Sequence, residues 1–278
     1  MKLLVDHIRY DVTVYGENPS LPYLLMLHGF MGSSELFEHL LPELQSCCNP
    51  VTLDLLGHGE TDRSAQAGRY ATGSQVSDLE KIIKRLDRKP IYLYGYSMGG
   101  RLALQFALEH SGTLAGLILE SANPGLRSPK ARADRRESDN RMAAAIEADF
   151  PGFLEEWERL PLFNNEIGLP EIRARRLREV QQRQNPKAMA DSLRHFGTGR
   201  MPPAWDRLEQ LTLPVLLLAG SADADYCTIC RNMHKLISRS RVRIIEKAGH
   251  RVHQENPAEL VEHIGAFVKP RTGGSETT

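Results

Sequence analysis

Cysteine is scarce in this chain, at 4 of 278 residues. So few thiols in a chain this long do not make a disulfide scaffold. Cys227-Thr228-Ile229-Cys230 has C-x-x-C spacing, and Cys47 and Cys48 are adjacent. Zinc needs about four ligands in tetrahedral array, and adjacent cysteines make a poor second half. The four are therefore expected as small buried hydrophobes, with no metal site. Charge of either sign is not in excess, since Lys+Arg 35 balances Asp+Glu 35. That excludes the basic footprint of a nucleic-acid binder and an acidic tail. Long hydrophobic runs are missing as well, and none approaches the ~20 residues that span a bilayer. The opening residues MKLLVD break into charge too soon for a secretion signal. A soluble, cytoplasmic protein without membrane insertion is expected.

What is present suits a globular core: 41% hydrophobic and 25% charged residues. Short apolar runs at Tyr23–Leu27, Val51–Leu53, Ile91–Gly95, Leu114–Glu120, Pro214–Gly220 and Val242–Lys247 read as buried strands. Helical patterns lie between them at Glu35–Gln45, Thr72–Leu86, Met98–Glu109, Arg231–Ser238 and Pro257–Val268. Such alternation predicts an α/β fold, a mostly parallel twisted sheet with helices on both faces. Residues 3–15 read as an antiparallel start, because a hairpin needs no crossover helix. The alternation stops near Asn123 and resumes near Leu213. The stretch between is rich in arginine and helix formers, so an inserted helical lid is expected over residues 123–212. The core would then comprise residues 1–122 and 213–268, with 269–278 a flexible tail.

Gly95-Tyr96-Ser97-Met98-Gly99 follows one apolar run and precedes a helical pattern. G-x-S-x-G between strand and helix is a nucleophile elbow, a turn tight enough to need small residues beside the serine. Ser97 would stand at a helix N-terminus, which favours developing negative charge. His28-Gly29-Phe30-Met31-Gly32 follows the first buried strand. Its position matches the loop that supplies one oxyanion-hole donor, so the backbone N–H groups of Phe30 and Met98 are the expected pair. His28 itself reads as a loop support. The base and acid should follow in the order serine, acid, histidine. His250 is the expected base, lifted by the Gly249 turn, with His253 a rival better read as a loop anchor. Asp223 is the expected acid, with Asp225 as runner-up.

Together these residues resemble the α/β-hydrolase superfamily over roughly residues 20–268, and Asp54-Leu55-Leu56-Gly57-His58-Gly59 adds a structural loop to the match. A narrower resemblance is to the 2-succinyl-6-hydroxy-2,4-cyclohexadiene-1-carboxylate synthases. It rests on Gly95–Arg101, on Glu120-Ser121-Ala122-Asn123-Pro124-Gly125-Leu126 with the arginines that follow, on Trp157–Phe163, and on Ser192-Leu193-Arg194 with Gly197-Thr198-Gly199. The resemblance implies a cofactor-independent carbon–oxygen lyase of menaquinone or phylloquinone biosynthesis. Such an enzyme removes pyruvate from a small polycarboxylate through a Ser97–Asp223–His250 triad. It further implies that Arg101, Arg135 and Arg183 (or Arg178) bind carboxylates, and that Tyr96, Trp157 and Phe163 line the pocket. The chain departs from the usual pattern near the acid, where Ser221 replaces a common Glu and Asp225 a common Lys.

Arg101 lies four residues after Ser97 on the predicted helix, and i and i+4 share a face. A permanent cation beside the nucleophile suits an anionic substrate, and guanidinium matches a carboxylate bidentately. The competing function on the same triad is a serine hydrolase of a small anionic ester, thioester or C–C substrate. A non-catalytic acid-binding protein is disfavoured by the intact Ser97, His250 and candidate acids.

Overall fold

The structure is a computed structural model that describes residues 1–163 and 167–269. The expected tail therefore lies outside the described residues, apart from Lys269. The chain opens with β1 (Lys2–Val5), β2 (Ile8–Val14), β3 (Tyr23–Leu27), α1 (Leu41–Leu44) and β4 (Asn49–Leu53). It continues through α2 (Thr72–Leu86), β5 (Ile91–Tyr96), α3 (Met98–His110) and β6 (Gly116–Glu120). Among the described residues four helices follow without a strand: α4 (Pro129–Ala148), α5 (Phe150–Glu158), α6 (Glu171–Gln182) and α7 (Pro186–Phe196). The sheet resumes with β7 (Val215–Gly220), α8 (Ala224–His234) and β8 (Ser240–Ile245), before α9 (Val252–Glu255) and α10 (Pro257–Val268).

The eight strands form one sheet in the order β1-β2-β4-β3-β5-β6-β7-β8. β1 and β2 form the antiparallel start, β2 pairs antiparallel with β4, and the remaining pairs are parallel. Alternation along β3 explains why helices cover both faces. Tyr23, Leu25 and Leu27 join the apolar cluster that holds Val76 and Leu79 of α2, Leu102 and Phe106 of α3, and Met233 of α8. Leu24 and Met26 face the other cluster, with Leu44 of α1 and Leu260 and Ile264 of α10. A strand buried on both faces must be apolar throughout, as β3 is.

Some element ends differ from the sequence reading, each for a local reason. The segment expected as one helix at Glu35–Gln45 is a 3-10 turn over Ser34–Leu40 followed by the single α-turn α1. Pro42 has no N–H for a continuous α-ladder, and Leu41 N–H donates to Glu38 O in the tighter pattern. The helix expected at Arg231–Ser238 begins much earlier, at Ala224, because Asp223 caps it by accepting from Tyr226 N–H. Two of the three residues in its buried stripe, Cys227 and Cys230 beside Met233, are weak helix formers, so packing carries the pattern there. β8 stops at Ile245, and Lys247, expected inside it, has φ +49 and turns the chain.

All four cysteines are free and buried. The Cys227 and Cys230 thiols donate to backbone carbonyls of Gly220 and Leu218. Among the described residues no helix is long and apolar enough to cross a membrane.

Candidate active site

Parallel strands end at one edge of the sheet, and ligands of such sheets bind in the crevice outside those carboxyl ends. Every residue of the expected triad arrives from such an end. Ser97 follows β5, Asp223 follows β7, and His250 follows β8. Ser97 has φ +50 and ψ −106, a conformation that costs a non-glycine residue energy and that the surrounding turn enforces. Helix α3 begins at the next residue, and Arg101 N–H donates back to Ser97 O at 3.0 Å. The turn is this sharp because α3 presses against the β3 loop. A Cβ on Gly99 would lie 2.5 Å from both Leu27 O and His28 O.

The three side chains form one hydrogen-bonded line. Ser97 Oγ lies 3.2 Å from His250 Nε2, and His250 Nδ1 lies 2.8 Å from Asp223 Oδ2. In the tautomer this line requires, Nδ1–H donates to the carboxylate and Nε2 accepts the seryl proton. Asp225 is exposed in the first turn of α8 and has no bond to His250. His253 is held elsewhere. Its backbone N–H and Nδ1 both meet Oε1 of fully buried Glu120, at 3.1 and 2.7 Å, while Tyr94 OH donates to the other oxygen. Glu120 thus anchors the loop that carries His250.

Among the described residues, the Phe30 and Met98 N–H groups reach no acceptor. Met98 is the first residue of α3, where backbone donors lack intrahelical partners. The Phe30 loop is braced by His28, whose Nδ1–H donates to Gly29 O at 2.8 Å while Nε2 accepts from Leu55 N–H at 3.0 Å. Burial lowers the His28 pKa to about 4, which keeps the ring neutral and this two-way brace intact. Asp54 holds the facing loop by accepting from Ser34 and Glu60 N–H groups.

A cavity opens over Ser97, lined by Phe30, Tyr96, Met98, Arg101, Arg135, Trp157 and Phe163 among others. Helices α4 to α7 supply much of that lining. Arg101 is half-buried and donates to Phe196 O and Thr198 Oγ1, at 3.1 and 3.0 Å. Burial, with the like charge of Arg135 second, lowers its pKa to about 10, so it stays a cation at neutral pH. Arg135 donates through Nε to Asp139 Oδ1 at 2.7 Å, which aims the guanidinium from α4. Burial in turn pushes the Asp139 carboxyl up, opposed by Arg135. Two guanidiniums against one carboxylate leave an excess of positive charge at this end of the cavity. Trp157 packs 5.4 Å from Phe163 and 5.5 Å from Phe30, ring centre to ring centre.

Arg183 is not brought to the cavity. Its guanidinium pairs with Glu35 at 2.7 Å on the exposed side of α6, where Glu35 also draws Arg176. Arg183 is the C-cap residue of α6. Arg178 is exposed as well. A residue that the sequence reading passed over is Arg251, which lines the cavity and is 7% exposed. Its place directly after His250 was the available signal. Tyr226 also enters the lining, 4.6 Å from the His250 ring.

Comparison with known proteins agrees with this geometry. Residues 22–257 match the alpha/beta hydrolase fold family. A putative 2-succinyl-6-hydroxy-2,4-cyclohexadiene-1-carboxylate synthase of Bacillus subtilis is 40% identical over 264 residues, which is 95% of this chain and 96% of that protein. The solved structure of MenH from S. aureus aligns with a TM-score of 0.87 at 33% identity, over 93% of this chain and 97% of that one. A thermophilic esterase from Thermogutta terrifontis, solved with malate bound, aligns with a TM-score of 0.77 at 28% identity, over 94% and 93% of the two chains. This chain therefore belongs to the α/β-hydrolase fold family and, within it, to the family of 2-succinyl-6-hydroxy-2,4-cyclohexadiene-1-carboxylate synthases.

Proposed function

We propose that the protein is a carbon–oxygen lyase. It eliminates pyruvate from 2-succinyl-5-enolpyruvyl-6-hydroxy-3-cyclohexene-1-carboxylate and releases 2-succinyl-6-hydroxy-2,4-cyclohexadiene-1-carboxylate, a step of menaquinone or phylloquinone biosynthesis. The observation that carries this reading is the pair of cavity-lining cations beside the nucleophile, Arg101 and Arg135. An ester pocket is mostly apolar around its few polar groups, whereas a substrate with several carboxylates needs fixed positive charge. The two relatives of the same family support the same chemistry.

In this reading His250 takes the Ser97 proton, and the seryl oxygen removes a proton from ring carbon activated by the succinyl carbonyl. The electron pair of that C–H bond delocalises onto the carbonyl oxygen, which faces the Phe30 and Met98 N–H groups. Each such donor is worth ~10²–10³ in rate. Collapse of the negative charge forms the second ring C=C bond and breaks the C–O bond to the enolpyruvyl group. The proton held by His250 goes to the leaving group, which departs as pyruvate. Asp223 stabilises the imidazolium while it exists. Helices α4 to α7, within residues 123–212, serve as a lid over a core of residues 1–122 and 213–268. The lid excludes water and presents Arg135, Trp157 and Phe163 to the substrate.

Mixing the purified protein with the enolpyruvyl precursor tests this directly. Diene absorbance and pyruvate should rise together, in equal amounts and without added cofactor. Turnover of a simple ester or thioester with no pyruvate released would instead establish the hydrolase reading.

A further inference from the structure

We propose that Arg251 is a third carboxylate-binding residue of the cavity, and that Glu158 occupies its guanidinium until the substrate's own carboxylate displaces it. The identity of the tri-acid rests on the lyase reading above; the site itself rests on geometry. That substrate carries three carboxylates, on the succinyl chain, the ring and the enolpyruvyl group. Arg101 and Arg135 account for two. Arg183 is exposed and paired with Glu35, so it supplies nothing to the third. Arg251 is the remaining guanidinium of the lining.

Its surroundings are those of a carboxylate clamp. Nη1 and Nη2 donate to Glu158 Oε2 and Oε1 at 2.9 and 2.7 Å, a two-pronged grip that any carboxylate of the same shape can take. The Arg251 Cζ sits 3.9 Å over the Phe163 ring, which holds the plane of the fork and leaves its edge open to an acceptor. The two partners differ in access. The Arg251 side chain is 8% exposed, whereas that of Glu158 is 30% exposed. Glu158 also accepts from Gln181 Nε2 at 2.7 Å. On leaving Arg251, it keeps a hydrogen bond and reaches water, so no buried charge is stranded. One carboxylate replaces another, and the net charge around Arg251 is conserved.

The exchange makes opposite predictions for the two members of the pair, where a purely structural tether makes the same one. Pyruvate-release kinetics are to be measured for wild type, Arg251→Met and Glu158→Gln. Calorimetric binding of tricarballylate, a tri-acid, is to be measured on the same proteins. Arg251→Met should raise KM and the tricarballylate Kd by roughly 10–100-fold, the loss of a charge-assisted hydrogen bond. Glu158→Gln removes the competitor, and both constants should stay at or below the wild-type values. A higher KM or Kd in Glu158→Gln would overturn the proposal. So would Arg251→Met binding tricarballylate within about twofold of wild type. Should Arg251→Met fail to fold, Glu158→Gln decides alone. If wild type releases no pyruvate the lyase reading fails, and the calorimetry still judges Arg251.

Discussion

Asp223 has two jobs with separate oxygens. Oδ1 caps α8 by accepting from Tyr226 N–H at 3.2 Å, and Oδ2 holds His250. Asparagine caps a helix about as well as aspartate. Asp223→Asn should therefore leave the melting temperature nearly unchanged while lowering kcat by ~10²–10⁴-fold, the worth of a positioned general base. Asp225→Asn, on the exposed face of the same turn, should leave kcat within about twofold. Equal effects of the two changes, read from pyruvate release, would remove Asp223 from the mechanism. Both acids are visible in the sequence two positions apart. Only the start of α8 at Ala224 decides which faces the imidazole, because that start makes position 223 the cap and position 225 part of the outer turn.

At the level of elements, the elbow depends on how closely α3 approaches the loop after β3. A methyl group on Gly99 would meet Leu27 O and His28 O at 2.5 Å, well inside contact distance and against backbone that cannot yield. Gly99→Ala should destabilise the fold by about 1–3 kcal/mol. It should also displace the Phe30 donor, because Leu27 and His28 lead into it. Gly73, in the first turn of α2, has nothing within 4 Å of an added Cβ. Gly73→Ala should stabilise by roughly 0.4–1 kcal/mol through the unfolded chain. Thermal denaturation of the two variants reads the contrast. Both glycines are equally plain in the sequence, and their difference belongs entirely to packing between elements.

Across the whole molecule, stability at mild acidity depends in part on histidines buried as neutral rings. Burial lowers His28 to about 4 and His58 to about 3, and for His58 the nearby His28 adds to the effect. Their ring centres are 5.2 Å apart. In the unfolded chain each titrates near the usual histidine value of about 6.5. Between that value and the lowered ones, the unfolded state binds protons that the folded state does not. Stability therefore falls as pH falls through this window, and the two rings together should cost about 4 kcal/mol between pH 7 and pH 5. His58 Nδ1 lies 3.0 Å from Leu56 O, a bond that an asparagine amide can replace. Urea denaturation of His58→Asn should show a smaller loss over that interval than wild type. An identical loss would mean that His58 does not titrate in this way.

The alternation of apolar runs and helical patterns was enough to imply a doubly covered parallel sheet, because a strand buried on both faces leaves no room for polar residues. The Gly95–Gly99 turn was enough to single out Ser97, because few side chains fit that sharp a strand-to-helix bend. The chain order of serine, acid and histidine located Asp223 and His250 to within two or three residues. What remained was a matter of distance in space. Arg183 is as prominent in the sequence as Arg135, yet a half-buried Glu35 draws it to the outside of α6. Arg251, with no pattern of its own, is turned inward because Glu158 and Phe163 arrive from a different segment of the chain. Periodicity and turn chemistry act over a few residues, whereas an ion pair joining positions 93 residues apart exists only once the chain has folded.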